Sequence, residues 1–372
     1  MGSIARRPNG QWRARYRDPA GREHSRHFAR KADAQRWLDE TQAATLTGRY
    51  VDPRAGRVTL RDYAEEWKSR QVHRPTTVDQ VEGVLTRHVL PHLGQRRLDS
   101  LLPSDIQKWV RRLSETLAPS TVGVAHRILS GILKSAVADR RIVSNPCTGT
   151  KLPKVTRRKI QPISTAHLSA ILDNIPARHR ALVVMAAGTG LRQGELFGLT
   201  IDRLNLDERA VVVDRQLINV QGQAPFFAPP KSAASVRIVP LPDSVIGALR
   251  THLRQFPTDD LVFRNAHGHP LRRSAFWTEW RRATRQAGLP DIRFHELRHY
   301  YASLLIRHGE SVKTVQARLG HASASETLDT YSHLWPDSDE RTRDAVDLLL
   351  QPLADYLRTA APAAWENRRS ED

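Results

Sequence analysis

At 372 residues, 40% hydrophobic and 26% charged, the chain has material for two or three folded soluble domains, each with its own core. No window approaches 18 consecutive apolar residues and MGSIARRPNGQW lacks a signal-peptide core, which argues against a membrane protein and predicts a cytoplasmic one. A net charge of +19 and a pI near 10.8 favour a nucleic-acid partner over a membrane surface, because no single amphipathic helix gathers the charge.

The basic surplus begins at the N-terminus, where residues 1–60 hold 13 Lys+Arg against 6 Asp+Glu. In QWRARYRD, Trp12, Ala14 and Tyr16 alternate with Arg13, Arg15 and Arg17, the pattern of a half-buried strand. DPAGRE predicts a turn and HSRHFA a second strand. KADAQRWLDETQAATLTG has helical spacing at Ala34, Trp37, Leu38 and Thr41, with Gly48 as its stop. The expected module is a small basic sheet with one helix. Its Arg13, Arg15 and Arg17 are candidate DNA contacts, with Trp12 a candidate base-stacking ring; the competing reading is a solvated charged face and a core tryptophan.

Thr59-Leu60-Arg61-Asp62 reads as a capping box opening a helix around Tyr63 and Trp67. Further helices are predicted at 76–89, 104–113 and 120–138, divided by Pro75, Pro91, Gly94, Pro103 and Pro119. Val124, Ile128, Leu129, Ile132 and Leu133 form a helical stripe on the last of these. Asn145-Pro146 closes this helical region, and LPKVTRRKIQP is a basic linker. From Ile163 the chain mixes helices (164–174, 181–187, 274–287, 294–307, 312–319 and 326–334) with strands at 209–213 and 236–241. AVDLLLQPLADY places Val346, Leu349, Leu350 and Leu353 on one stripe, fit to complete the core or to meet another protomer, and AAPAAWENRRSED reads as loose. Cys147 is the single cysteine, which excludes an intrachain disulfide and a cysteine-ligated metal; a small inert side chain is expected.

HELRH, residues 295–299, admits two chemistries. As H-E-x-x-H it offers His295 and His299 to zinc with Glu296 as base. Arg298 would then share a helical face with a dication, which is electrostatically unfavourable. The metzincin extension also fails, because Ala302 and Leu305 stand where Gly and His are required. A distant Glu310 or Glu326 could still complete such a site. Alternatively, His295 and Arg298 face an anion. TGLRQGEL sets Arg192 past a glycine break at a helix start, where a guanidinium can fork onto phosphate and Glu195 can orient it. PPKSAASVRIVPL carries Lys231 on a hairpin loop ahead of a strand; His321 follows Leu319-Gly320, where glycine ends a helix; Tyr331 lies in TLDTYSHL. Singly, these residues are solvated charges, a cap and a packed ring.

In this order, the blocks TGLRQGEL, PPKSAASVRIVPL, HELRHYYASLL and LGHASASETLDTYSH resemble the tyrosine recombinases, the phage integrase family. The resemblance implies a multidomain protein, mainly α with small β elements. Its parts are a small β-sheet plus helix arm-site DNA-binding module (1–55), an all-helical core-binding domain (57–145), a linker (146–162) and a mixed α+β catalytic domain (163–340). A C-terminal segment (341–372) would dock on a neighbouring protomer. It further implies that Arg192 and Arg298 grip a scissile phosphate and that Lys231 is the general acid. His295 and His321 would bond the phosphate or assist proton transfer, and Tyr331 would be the nucleophile, with Glu195 and His299 in support. His333 carries a structural reading. The expected activity is site-specific DNA recombination through a 3′-phosphotyrosyl link, integrating and excising a mobile element, without metal or other cofactor. The expected partners are double-stranded attachment sites, three further protomers in a tetramer on DNA, and DNA-bending or directionality factors. A type IB topoisomerase-like enzyme shares the chemistry; a zinc metalloprotease and a DNA-binding regulator with a dead catalytic fold are readings from other classes.

Overall fold

The structure, a computed structural model, describes residues 2–18, 21–47, 50–156, 160–335 and 339–360, so Gly48, part of the basic linker and residues 361–372 lie outside it. The chain forms two compact units, residues 1–157 and 158–372. No helix among the described residues is long and apolar enough to cross a membrane.

The first unit opens with β1 (Ser3–Arg6), β2 (Trp12–Arg17) and β3 (Glu23–Phe28), an antiparallel sheet in that order, followed by α1 (Lys31–Leu46). Alternation along β2 buries Ala14 and Tyr16, and α1 contributes buried Ala34 and Leu38. β1 is not anticipated from SIAR, which is too short and too polar to show a period. Five helices follow: α2 (Leu60–Ser69), α3 (Pro75–Val84), α4 (Leu90–Leu93), α5 (Pro103–Ser114) and α6 (Pro119–Ala138). Thr59 caps α2 by accepting from the Asp62 N–H at 3.1 Å, an interaction that contributes about 1 kcal/mol. Pro75, Pro103 and Pro119 occupy first-turn positions, where no intrahelical N–H bond is lost. The helix expected over 76–89 is interrupted by a π-helical turn at Leu85–Val89, which still keeps Leu85 and Val89 in the core. Leu129, Ile132 and Leu133 are fully buried, and Val124 and Ile128 pack at the rim of the same core. Cys147 is buried there too, and burial pushes its thiol up to about 12, as suits an inert side chain.

The second unit begins with α7 (Thr165–Asn174), α8 (Ala177–Thr189) and α9 (Gln193–Phe197). Next come β4 (Leu204–Asn205), β5 (Ala210–Val213), β6 (Gln216–Ile218), β7 (Phe226–Ala228) and β8 (Arg237–Pro240). α10 (Asp243–Gln255), α11 (Arg273–Gln286), α12 (Glu296–Arg307), α13 (Val312–Leu319), α14 (Ala324–Tyr331) and α15 (Asp339–Ala360) complete it. β4-β5-β8 form one antiparallel sheet and β6-β7 a hairpin inserted between its strands. β4, β6, β7 and α10 are additions to the predicted elements. α8 is buried nearly all round and packs against α10 and α12, so it forms the spine of this core.

Two expectations are corrected. The helix predicted over 294–307 starts at Glu296, because Glu296, Leu297 and Arg298 bond three residues back, to Arg293, Phe294 and His295; His295 sits in this tight entry turn. The stripe on α15 does not complete the unit's core: Val346, Leu349, Leu350 and Leu353 are all exposed.

Candidate active site

Two helices end on glycines in the left-handed region, α8 at Gly190 (φ 64°) and α13 at Gly320 (φ 65°). A Cβ on Gly190 would lie 2.5 Å from the Tyr301 ring, so both backbone and space require glycine there. These ends turn carbonyl oxygens onto two guanidinium groups. Arg298, 3% exposed, donates to Gly190 O at 2.7 Å and to Leu319 O at 2.6 Å. Arg192 donates from Nη2 to Gly320 O at 3.0 Å. Carbonyl-rich helix C-termini carry partial negative charge and suit buried cations.

Arg192 is the N-cap residue of α9, and Glu195 closes the first turn. The Glu195 carboxylate accepts from the Arg192 backbone N–H at 2.9 Å and from its Nη1 at 3.0 Å. The Arg192 backbone N–H is therefore taken up by Glu195, the reciprocal half of a capping box. Arg237 grips the same carboxylate from β8 at 2.9 and 3.3 Å, and also donates to Arg318 O and Ser235 O. Burial pushes Glu195 up, but Arg237 and Arg192 outweigh it and hold the carboxyl below its usual range. One carboxylate thus faces three arginines, leaving the cluster positively charged.

The remaining expected residues lie around this cluster. His321 is buried, with Nδ1 bonded to Thr327 Oγ1 at 2.8 Å. Tyr331, at the end of α14, is 1% exposed, and its hydroxyl meets Nδ1 of His299 at 2.8 Å. His321 stacks on the Tyr331 ring at 6.4 Å, and His295 meets the His299 ring edge-on at 4.8 Å. Lys231 is exposed on the connection from β7 to the Ala233–Ser235 turn, within the long loop that joins the paired strands β5 and β8. That turn reaches the cluster through Ser235, whose Oγ accepts from Arg192 Nη1 at 3.4 Å. His333 bonds Ile160 O at 2.8 Å, the structural role expected of it.

Electrostatics set the protonation states. Burial, then Arg298, Arg192 and Arg237, bring His321 down to about 3. Burial, then His295, Arg298, Arg293 and His321, bring His299 down to about 4. Crowding followed by Arg298, Arg192 and Arg293 lowers His295, which keeps an exposed edge. Burial lowers Arg298 to about 9, still protonated at neutral pH, and raises Tyr331 to about 12. At pH 7 the site holds neutral histidines, a protonated tyrosine and charged arginines.

Arg237, Ser235 and Thr327 are the residues that sequence reasoning missed. The signal for Arg237 was present. It pairs with Val213 on the inward side of the sheet, with Val211 and Val239, so an arginine occupies a core-facing slot and needs a buried carboxylate.

In the first unit, Arg13, Arg15 and Arg17 share the face of β2 turned away from Ala14 and Tyr16. Arg13 and Arg15 lie 3.2 and 3.9 Å from Glu23, and Arg15 Nε donates to Ser3 at 2.7 Å. Trp12 is half-buried on the other side, with Arg6 and Lys31 at 6.0 and 5.6 Å from its ring.

Comparison with known proteins decides the family. The sequence pattern described as the phage integrase family matches residues 159–337, its N-terminal domain matches 1–47, and its central domain matches 60–152. The chain belongs to the phage integrase family. It is an enzyme of the tyrosine recombinase type, which cleaves and rejoins DNA. Membership favours neither the zinc-protease reading of HELRH nor the type IB topoisomerase-like one. Over 346 residues it is 28% identical to a protein described as a prophage phiRv2 integrase of Mycobacterium tuberculosis, covering 90% of this chain and 91% of that one. It is 28% identical over 313 residues to a XerC-like tyrosine recombinase of Caldanaerobacter subterraneus, covering 75% and 80%. Among solved structures, the Tn1549 transposon integrase in complex with transposon right end DNA matches with TM-score 0.65 at 23% identity, covering 80% of this chain and 100% of that one. A lambda integrase dimer bound to a COC′ core site matches with TM-score 0.60 at 18% identity, covering 90% and 96%. These likenesses show the fold.

Proposed function

We propose that this recombinase is an integrase of a mobile element, that its chemistry is carried by Arg192, Lys231, His295, Arg298, His321 and Tyr331, and that Glu195 and His299 support them. The observation that carries the reading is the positively charged cluster of preformed guanidinium groups beside a buried tyrosine hydroxyl. Phosphoryl transfer needs an aligned nucleophile, stabilisation of the pentavalent phosphate and a proton for the leaving oxygen. Tyr331 Oη attacks the scissile phosphorus while the bond to the 5′-oxygen breaks, giving a 3′-phosphotyrosyl link. Arg192 and Arg298 take the non-bridging oxygens, each charge-assisted bond contributing about 1.5–3 kcal/mol. Lys231 protonates the 5′-oxygen, and His295 and His321 bond the phosphate. The link conserves the bond energy, so a partner strand's 5′-hydroxyl completes the exchange without nucleotide hydrolysis.

The reading extends to assembly. A lambda integrase tetramer has been seen bound to a Holliday junction, with TM-score 0.56 to this chain. Four protomers on paired attachment sites are proposed here, with residues 1–55 on arm-type DNA, 57–145 on core DNA, 163–340 as the catalytic domain and the segment from 341 meeting a neighbouring protomer. DNA-bending or directionality factors are further proposed partners. The test is to incubate the full chain in EDTA with nicked duplex spanning the junction between the element and its host chromosome. An SDS-resistant adduct that Tyr331→Phe abolishes is expected; its absence, or its persistence in that variant, contradicts the reading.

A further inference from the structure

We propose that His299 is the group that receives the phenolic proton of Tyr331, through Nδ1, as the phosphotyrosyl bond forms. The proposal rests on the reading of Tyr331 as nucleophile and deepens it, because the two histidines assigned to the phosphate are placed differently. His299 Nδ1 is 2.8 Å from the Tyr331 hydroxyl, with the ring centroids 5.5 Å apart at 65°, a geometry that aims a nitrogen lone pair at the hydroxyl when the imidazole proton is on Nε2. His321 lies parallel to the Tyr331 ring at an interplanar angle of 8°, so its nitrogens point along the ring plane, and its Nδ1 is committed to Thr327. His295 meets the His299 ring edge-on at 4.8 Å and is exposed. The nitrogen already bonded to the nucleophile belongs to the third histidine.

The step balances. Tyr331 Oη bonds to phosphorus, the phosphorus bond to the 5′-oxygen breaks, the phenolic proton passes to His299 Nδ1, and Lys231 supplies the proton for the 5′-oxygen. In rejoining, His299 returns its proton to the departing phenolate. The groups facing this pair are Arg298 and Glu296 on α12, His295 and Arg293 in the turn before it, Glu326 on α14, His321 after α13, and Arg192 before α9. Burial first, then His295, Arg298 and Arg293, hold His299 near 4, while burial holds Tyr331 near 12, so the shared proton sits on the tyrosine. A phosphate anion between Arg192 and Arg298 offsets the charge that opposes protonation of His299. Activation is thereby tied to the arrival of substrate.

Single-turnover adduct formation on the nicked junction duplex tests this, with His299→Ala, His299→Asn and Tyr331→Phe in the full chain. Asparagine keeps a polar atom near the position of Nδ1 but cannot take a proton. Both His299 variants should bind the duplex as wild type does and form adduct about 10²–10⁴-fold more slowly, and the rate should lose its rising dependence on pH. A duplex with sulfur in place of the bridging 5′-oxygen needs no proton on its leaving group; it should rescue Lys231→Ala but neither His299 variant. Cleavage by His299→Asn within threefold of wild type would reduce His299 to a hydrogen-bonding strut, and rescue of it by the sulfur substrate would move it to the leaving-group side. An adduct that survives Tyr331→Phe would instead remove the nucleophile reading itself.

Discussion

The arginines of β2 and those of the active-site cluster use the same side chain in opposite ways. Arg13, Arg15 and Arg17 stand on one face of a thin sheet, and the two nearest Glu23 make solvent-exposed pairs that contribute little to stability. Arg192, Arg237 and Arg298 are instead fixed by Glu195 and by the carbonyl ends of two helices before any substrate arrives. The first arrangement suits tracking a phosphate backbone; the second suits stabilising one phosphate in a transition state. The distinction lies in partners and burial, not in residue type.

Substitution can break this contrast at its strongest point. Arg298→Ala should slow adduct formation by about 10³-fold while leaving duplex affinity near that of wild type, read by single-turnover cleavage and filter binding. Equal loss of affinity and rate would make Arg298 an ordinary binding residue. Glu195→Gln removes the one carboxylate shared by Arg192 and Arg237 and should cost about 3–5 kcal/mol in a urea unfolding curve, since it leaves buried charge uncompensated. Replacing Arg13, Arg15 and Arg17 together by alanine should leave the unfolding midpoint of the second unit unchanged. It should lower the salt slope of DNA binding by about 0.9 for each phosphate that is no longer neutralised; an unaltered slope would make this face a solvated surface. The smallest effect is on acid stability. An unfolded histidine titrates near 6.5, whereas folded His299 and His321 titrate near 4 and 3, so the unfolded chain binds more protons between those values. Stability should fall as pH drops from about 6.5 to 3, seen as a falling Tm, and His321→Asn should flatten that fall.

Much of the fold was legible because its signals are local. The capping residue Thr59, the first-turn prolines and the stripe through Leu129, Ile132 and Leu133 each act within one or two turns of helix. β6 and β7 are three residues each and show no period, and α10 follows directly on the strand read at 236–241. The π-helical turn at Leu85–Val89 reflects how that segment packs, a tertiary choice that propensity does not carry. The residues expected at the site were assembled from blocks far apart in sequence, and the structure brings Arg192, Glu195, His295, Arg298, His299, His321 and Tyr331 into one group. Alternation along β8 sets Arg237 on the face of Val239, but its partner Glu195 is 42 residues away, and pairing of β5 with β8 decides that this face is the inward one. His299 was expected to support structure by hydrogen bonding; that its partner is the nucleophile's hydroxyl depends on α12 and α14 meeting, which no local pattern encodes.

The account turns on Tyr331 as the atom donor to phosphorus. Digesting the covalent adduct with nuclease and trypsin and sequencing the nucleotide-bearing peptide by mass spectrometry tests it most directly. The account predicts a 3′-linked nucleotide on Tyr331. A nucleotide on Tyr300, Tyr301 or any other residue would contradict it.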